Sequence, residues 1–251
     1  MSSLRSRSPQ LEWMDTEAIG AEDFARCLAD LAVVNSVTLA RPPTISFMRR
    51  VSRGMAAGER LSVLDAGFGE GDMLRRIHRW GTRRGLRMDL SGVDLNPWST
   101  AAAQAATPAA MGIRYTTGDL FDLPPGETPD QLPNQLPNQL PNQMIDVVIS
   151  SLFTHHLTDA QVVDFLTWME ARARRGWFVN DLHRHPLAFH GFRLLSGAAG
   201  WHRFVQHDGP ISVARSFRRR DWDRLLRQAG LADKATVRWH MPFRLCISRI
   251  R

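Results

Sequence analysis

The chain has 251 residues, 43% hydrophobic and 23% charged, a balance that excludes a disordered or fibrous protein and fits a globular one. No apolar run approaches the length of a membrane span, and the net charge of +7 comes almost wholly from arginine, since Lys234 is the single lysine. These arginines lie in short clusters beside acids along helical patterns, which reads as solvated helix faces rather than a nucleic-acid footprint. Cys27 and Cys246 are far apart and without a CxxC spacing, so they read as two reduced core thiols in a cytoplasmic protein.

Residues 1–10 are rich in Ser and Arg but lack the apolar centre of a secretory signal, and Glu12, Asp15 and Glu17 argue against a transit peptide. A frayed, disordered terminus is expected there. An N-terminal helical cap follows over 11–57. Phe24, Leu28, Leu31 and Val34 recur at spacings of three and four and predict a helix over 11–39. Pro42 and Pro43 interrupt it, and a second helix over 44–57 has Thr44 as its cap.

From residue 58 to 251 strands and helices alternate. A strand over 62–65 leads to a helix over 72–84, a strand over 88–94 to a helix over 97–104, and a third strand lies over 113–116. The tetrapeptide QLPN is then repeated three times over 131–142, and its recurring proline rules out persistent helix or strand, so 130–143 reads as a surface loop. A strand over 145–150 is apolar enough to be buried on both faces. A helix over 158–174, a strand over 177–180, helices over 186–195 and 220–228, and two last strands over 236–241 and 243–250 complete the chain. This order predicts an α/β fold, a doubly wound Rossmann-like sheet of seven strands with helices on both faces.

The chemistry-bearing residues fall at the C-terminal ends of these strands, where open α/β sheets bind ligands. The first strand runs into Asp65-Ala-Gly67-Phe68-Gly69-Glu-Gly71-Asp72, a tight turn whose glycines let a ligand approach the backbone, followed by a helix start. The stretch resembles motif I of the class I S-adenosylmethionine (SAM)-dependent methyltransferases, a likeness that covers roughly residues 60–181. Nucleotide dehydrogenases also carry a glycine turn, but theirs is spaced GxGxxG, against GxGxG here.

The resemblance implies a cofactor, SAM, with S-adenosylhomocysteine (SAH) as product, and assigns residues to it. Asp65 faces the cofactor, Gly67, Phe68, Gly69 and Gly71 form the turn against its methionine part, and Asp94 accepts the ribose hydroxyls. Leu95 follows at the adenine, Asp119 binds the adenine amino group, the Leu120 backbone meets a ring nitrogen, and Ser150 borders the transferred methyl. Phe68 departs from the small residue or Cys that many relatives carry at its position.

Methyl transfer to a hydroxyl also requires removal of a proton, and histidine is the residue suited to it. Two pairs follow strands: His155 and His156 in Phe153-Thr-His-His-Leu157, and His183 and His185 after Asn180-Asp181. The first pair resembles a triplet of small-molecule methyltransferases akin to the ubiquinone and menaquinone biosynthesis enzymes. His155 and His183 are the leading pocket histidines, with structural packing as the alternative for each. No metal is expected, because zinc or magnesium chemistry would want more ligands in clear spacing. The segment 184–216, with Phe189, Phe192, Leu195, Trp201 and Phe204, lies where the superfamily builds its acceptor pocket. The expected partner is thus a small, apolar or phenolic acceptor, favouring O-methylation. A nucleic-acid methyltransferase, a noncatalytic SAM-binding protein and an NAD-dependent reductase stand as alternatives. The oligomeric state is open.

Overall fold

The computed structural model describes residues 4–17, 20–120 and 145–251, so the QLPN repeat lies outside them. Among the described residues, β1 (Arg60–Ala66), β2 (Arg87–Asp94), β3 (Arg114–Thr117), β4 (Ile145–Ser151), β5 (Ala173–Leu182), β6 (Thr236–His240) and β7 (Arg244–Ile250) form one sheet, ordered β3-β2-β1-β4-β5-β7-β6. The first five strands are parallel, and β7 inserts antiparallel between β5 and β6. Strand order reverses beside β1, which has β2 on one side and β4 on the other. That switch point opens a crevice at the C-terminal strand ends.

The helices are α1 (Trp13–Thr16), α2 (Ala21–Val37), α3 (Arg41–Val51), α4 (Asp72–Arg83), α5 (Pro97–Ala106), α6 (Asp159–Arg172), α7 (Pro186–Ala198), α8 (Arg203–Arg215) and α9 (Arg219–Gln228). Alternation along each strand sends side chains to opposite faces. Val63, Val147, Ile149 and Phe178 pack with Phe47 and Met48 of α3 and Leu74 and Ile77 of α4. Their neighbours Leu64, Val148, Trp177 and Val179 pack with Phe165 and Met169 of α6 and Trp222 and Leu225 of α9. A buried side chain of this size contributes about 1.5–3 kcal/mol, so both helical layers are required to cover the sheet. No helix among the described residues is long and apolar enough to cross a membrane.

The N-terminal region differs from expectation. Residues 4–10 are docked rather than frayed: Ser8 N–H donates to Ala214 O at 3.0 Å, and Arg184 reaches Leu4 O. The predicted helix over 11–39 breaks after Thr16, where Glu17 turns to extended backbone, and α2 begins at Ala21; the Trp13 and Met14 N–H groups, unpaired at the start of α1, donate to the Asp208 carboxylate at 2.8 and 3.0 Å. The next helix starts at Arg41, three residues before Thr44, and ends at Val51. Its prolines occupy the first turn, where the missing N–H has no intrahelical partner to lose, and Thr44 is buried inside the helix instead of capping it.

The sequence pattern carries no sign of α8, since Gly209 and Pro210 sit in its interior. Gly209 serves packing: a Cβ there would run into the Phe192 ring of α7. Only β5 is much longer than expected, beginning at Ala173 directly after α6. α6 itself opens on a reciprocal cap, with Thr158 Oγ1 accepting from Gln161 N–H and Gln161 Oε1 from Thr158 N–H.

Candidate functional site

The glycine turn bends around the end of β1. Gly67 takes φ +74°, and a Cβ there would meet the Phe153 ring at 2.9 Å. Gly71 takes φ +72° as the residue before α4 and lies against the Tyr115 ring, while the Cβ position of Gly69 faces open space. The Phe68 side chain turns into the core between Gly92 and Tyr115, so only its backbone belongs to the turn.

Asp94 closes the turn from β2. Its two oxygens accept from Gly69 N–H and Asn96 N–H, both at 2.9 Å, yet burial outweighs these bonds and raises its carboxyl above the usual range. Asp65 is fully buried, and its Oδ1 has no hydrogen-bond partner among the described residues. Burial first, then the nearby Asp72 and Asp94 carboxylates, push it well above the usual range. Gly118 N–H donates to Asp94 O at 2.9 Å and so brings the half-buried Asp119 beside Asp94. Leu95 is exposed at the rim, whereas the Leu120 side chain is core. Ser150 is turned inward: its hydroxyl donates to Ala66 O at 2.9 Å and stitches β4 to β1. Ser151, beside it, has a buried hydroxyl without a partner among the described residues.

Across from this turn the two predicted histidine pairs separate. His155 is buried, and its Nδ1 lies 2.7 Å from Asp181 Oδ1. Asp181 also receives His155 N–H at 2.9 Å, Leu182 N–H at 2.7 Å and the Thr154 hydroxyl. Burial alone would raise the Asp181 carboxyl, but the His155 ring and these donors hold it down at about 2. The other ring nitrogen, His155 Nε2, faces Glu12 Oε1 at 3.6 Å, and His156 Nε2 lies 4.0 Å from Glu12 Oε2. His156 also acts electrostatically on Asp94, which ties the histidine turn to the glycine turn.

Two arginines fasten this arrangement. Arg215 donates to the carbonyls of His155, His156 and Gln10, at 3.2, 3.0 and 3.1 Å. Arg7 donates to His155 O and Leu157 O, at 3.1 and 2.7 Å, and pairs with Asp159. The strap from Arg7 to Glu12 is thereby drawn over the histidine turn. Glu12, His155 and His156 each offer a ligand atom, all within 4.8 Å of one another, a grouping that the expectation of no metal did not include.

His183 and His185 belong to a different group. Their rings are 5.6 Å apart, and His185 stacks on Phe243. His185 Nδ1 accepts from Leu187 N–H at 3.2 Å and caps α7. Burial, with His185, Arg218 and Arg184 nearby, lowers the pKa of His183. Its Nδ1 is buried without a partner among the described residues.

Glu12, Asp181, Arg7 and Arg215 are site residues that reading the sequence did not assign. Asp181 stood in the quoted stretch before His183, and two-residue alternation along β5 was the available signal. Nothing local marks Glu12, because its role depends on a strap docked from the other end of the chain.

No protein-family model matches the chain, and no curated protein matches it in sequence. Solved structures do match. The plantazolicin methyltransferase BamL, in complex with a triazolic desmethylPZN analogue and SAH, superposes with TM-score 0.60 at 10% identity, over 92% of this chain and 97% of that one. A SAM-dependent methyltransferase from Aquifex aeolicus gives TM-score 0.55 at 12% identity, over 93% and 99%. LepI with SAH and a substrate analogue gives 0.52 at 15% identity over 81% of this chain, which spans only 46% of LepI. At such identities the likeness is one of fold, and the chain has the Rossmann-like α/β fold of the class I methyltransferases.

Proposed function

We propose that the protein binds SAM in the crevice at the end of β1 and transfers its methyl group to a small-molecule acceptor, with a phenolic or quinone-type hydroxyl favoured. The carrying observation is the buried Asp65 carboxyl, with an unpartnered oxygen and the Asp72 and Asp94 carboxylates pressing on it. A ligand that brings positive charge relieves that arrangement, and SAM carries both an ammonium and a sulfonium. A nicotinamide dinucleotide brings a diphosphate, which these carboxylates repel. The open face at Gly69, the Asp94 carboxylate and Asp119 beside it suit the amino-acid, ribose and adenine parts in turn. Structures of the same fold hold SAH or SAM, which supports the reading.

The sulfonium is already activated, so the protein's task is to hold an acceptor oxygen in line with the methyl group and to take its proton. A free phenol titrates near pKa ~10, so a polar group must lower that cost. Among the predicted histidines, His155 and His156 are the better candidates: Asp181 occupies Nδ1 of His155 and leaves its Nε2 directed at Glu12, and His156 acts on Asp94. His185 caps a helix and is the weakest candidate.

Calorimetric titration of SAM and SAH into the wild-type chain and Asp94→Ala tests the reading. Micromolar binding is expected, weakened about a hundredfold by the substitution, the equivalent of about 3 kcal/mol for a charge-assisted contact. A folded chain that binds neither overturns it. Binding with no methylation across a panel of phenolic acceptors would favour a SAM-binding protein that does not spend its ligand.

A further inference from the structure

We infer that Glu12, His155 and His156 form a binding site for a divalent cation of the zinc class. The donor set is two imidazole nitrogens and one carboxylate, the N/O chemistry that suits zinc and its neighbours rather than magnesium or calcium. Each imidazole stands from the Glu12 carboxylate at a spacing too long for sharing a proton and near that of two ligands of one ion. His155 Nε2 to Glu12 Oε1 is 3.6 Å and His156 Nε2 to Glu12 Oε2 is 4.0 Å, both beyond a good hydrogen bond. Two ligands each about 2.1 Å from a tetrahedral ion stand roughly 3.4 Å apart.

A second observation points the same way. Glu12 is 5% exposed, and its Oε1 has no hydrogen-bond partner among the described residues. A buried carboxylate oxygen left unpaired is costly unless a cation meets it. The support around the histidines also matches what a metal ligand needs. Asp181 holds Nδ1 of His155 at 2.7 Å, which orients the ring and leaves Nε2 as the coordinating atom. Arg215 holds the backbone of both histidines by their carbonyls, and Arg7 and Arg215 hold the strap that carries Glu12. Three protein ligands leave one coordination position for water or an acceptor hydroxyl, the pattern of a zinc site open to substrate. The site also couples the strap to the ion, because Glu12 is the one ligand contributed by the N-terminal segment.

An ion here takes the two imidazole nitrogens named above as candidate proton acceptors, so the site bears on the acceptor end of that reading and not on SAM binding, and the test keeps the two distinct. The chelator-treated full-length chain is titrated with Zn²⁺ by calorimetry and with Co²⁺ by visible absorption, with SAH binding measured on the same samples. One ion per chain at micromolar or tighter affinity is expected, with the intense Co²⁺ bands of a four-coordinate site. Glu12→Gln and His156→Gln each abolish that binding. Asp181→Asn, which touches no ion, weakens it by about tenfold or more. Zn²⁺ binding that survives Glu12→Gln and His156→Gln is adventitious and overturns the site, as does a chain that binds SAH but no Zn²⁺. Should a variant unfold, the wild-type cobalt spectrum decides, and weak octahedral bands overturn the proposal.

Discussion

The glycine-turn side of the crevice and its histidine side are assembled in opposite ways. Asp65, Gly67, Gly69 and Gly71 occupy a single strand-to-helix junction, Asp94 ends β2, and Asp119 follows β3 in the parallel part of the same sheet. Each of these residues is placed by the element it terminates. On the other side, the His155 turn is held by Asp181 from β5, Arg215 from α8 and Arg7 from the N-terminal strap, and α8 in turn holds α1 through Asp208. The first side is stable wherever the sheet is stable. The second depends on docking a segment contributed from the far end of the chain, so it can open while the sheet stays folded.

The largest effect expected comes from breaking the glycine-turn side. Gly71→Ala demands a left-handed backbone of an L-residue and pushes a methyl into the Tyr115 ring. A cost of about 3 kcal/mol is expected, a fall in melting temperature of roughly 6–12 °C, with loss of SAH binding. A variant that melts and binds like the wild type would mean that the turn is not the anchor of the crevice.

The opposite break is smaller and more local. Asp208→Ala removes the carboxylate that accepts Trp13 N–H and Met14 N–H and pairs with His207, itself stacked under Trp13. About 2 kcal/mol of docking energy is lost for bonds to a charged acceptor. Hydrogen exchange is expected to quicken over residues 8–17 while β1 and β4 keep their protection and SAH affinity is unchanged. Equal loss of protection in the central strands would show that strap and sheet open as one unit, contrary to the comparison.

The same contrast explains what could be read from the sequence. The sheet was legible because period-two alternation and the GxGxG junction are local signals, and β1, β2 and β4 fall within a few residues of their expected limits. The glycines and Asp65 share one junction for the same reason, and Asp94 meets it from the end of the adjacent strand. The role of Ser150 was not legible, since a strand-end serine facing a ligand and one bonded to Ala66 O look alike in sequence. α8 was hidden by Gly209 and Pro210, whose value lies in the contact with Phe192 on another helix. Glu12 was read only as an acid that argues against a transit peptide, because the strap that carries it is held by Arg7 nearby and by Asp208 and Arg215, about 200 residues away.

The smallest effect sharpens the comparison most, because it separates holding the fold from holding a ligand. Asp65→Asn keeps the shape of a fully buried side chain and removes its charge. A carboxyl whose folded pKa stands above its unfolded one takes up a proton on folding. Its stabilising contribution is therefore complete below the usual carboxyl range and is lost as pH rises through the raised folded value. The ligand-free wild type therefore loses stability between the usual carboxyl range and pH 8, and Asp65→Asn, which cannot ionise, is expected to gain on it by about 1 kcal/mol, or roughly 2–4 °C in melting temperature, over that range. The gain shrinks as pH falls into the usual carboxyl range, where the carboxyl is neutral in the folded and the unfolded wild type alike. Saturating SAH reverses the order, because the ligand's ammonium compensates the carboxylate in the wild type and finds none in the variant. If Asp65→Asn instead lowers the melting temperature of the ligand-free chain at pH 8, the carboxylate serves the turn and not a cationic ligand, and the glycine-turn side loses its main claim to be a cofactor site.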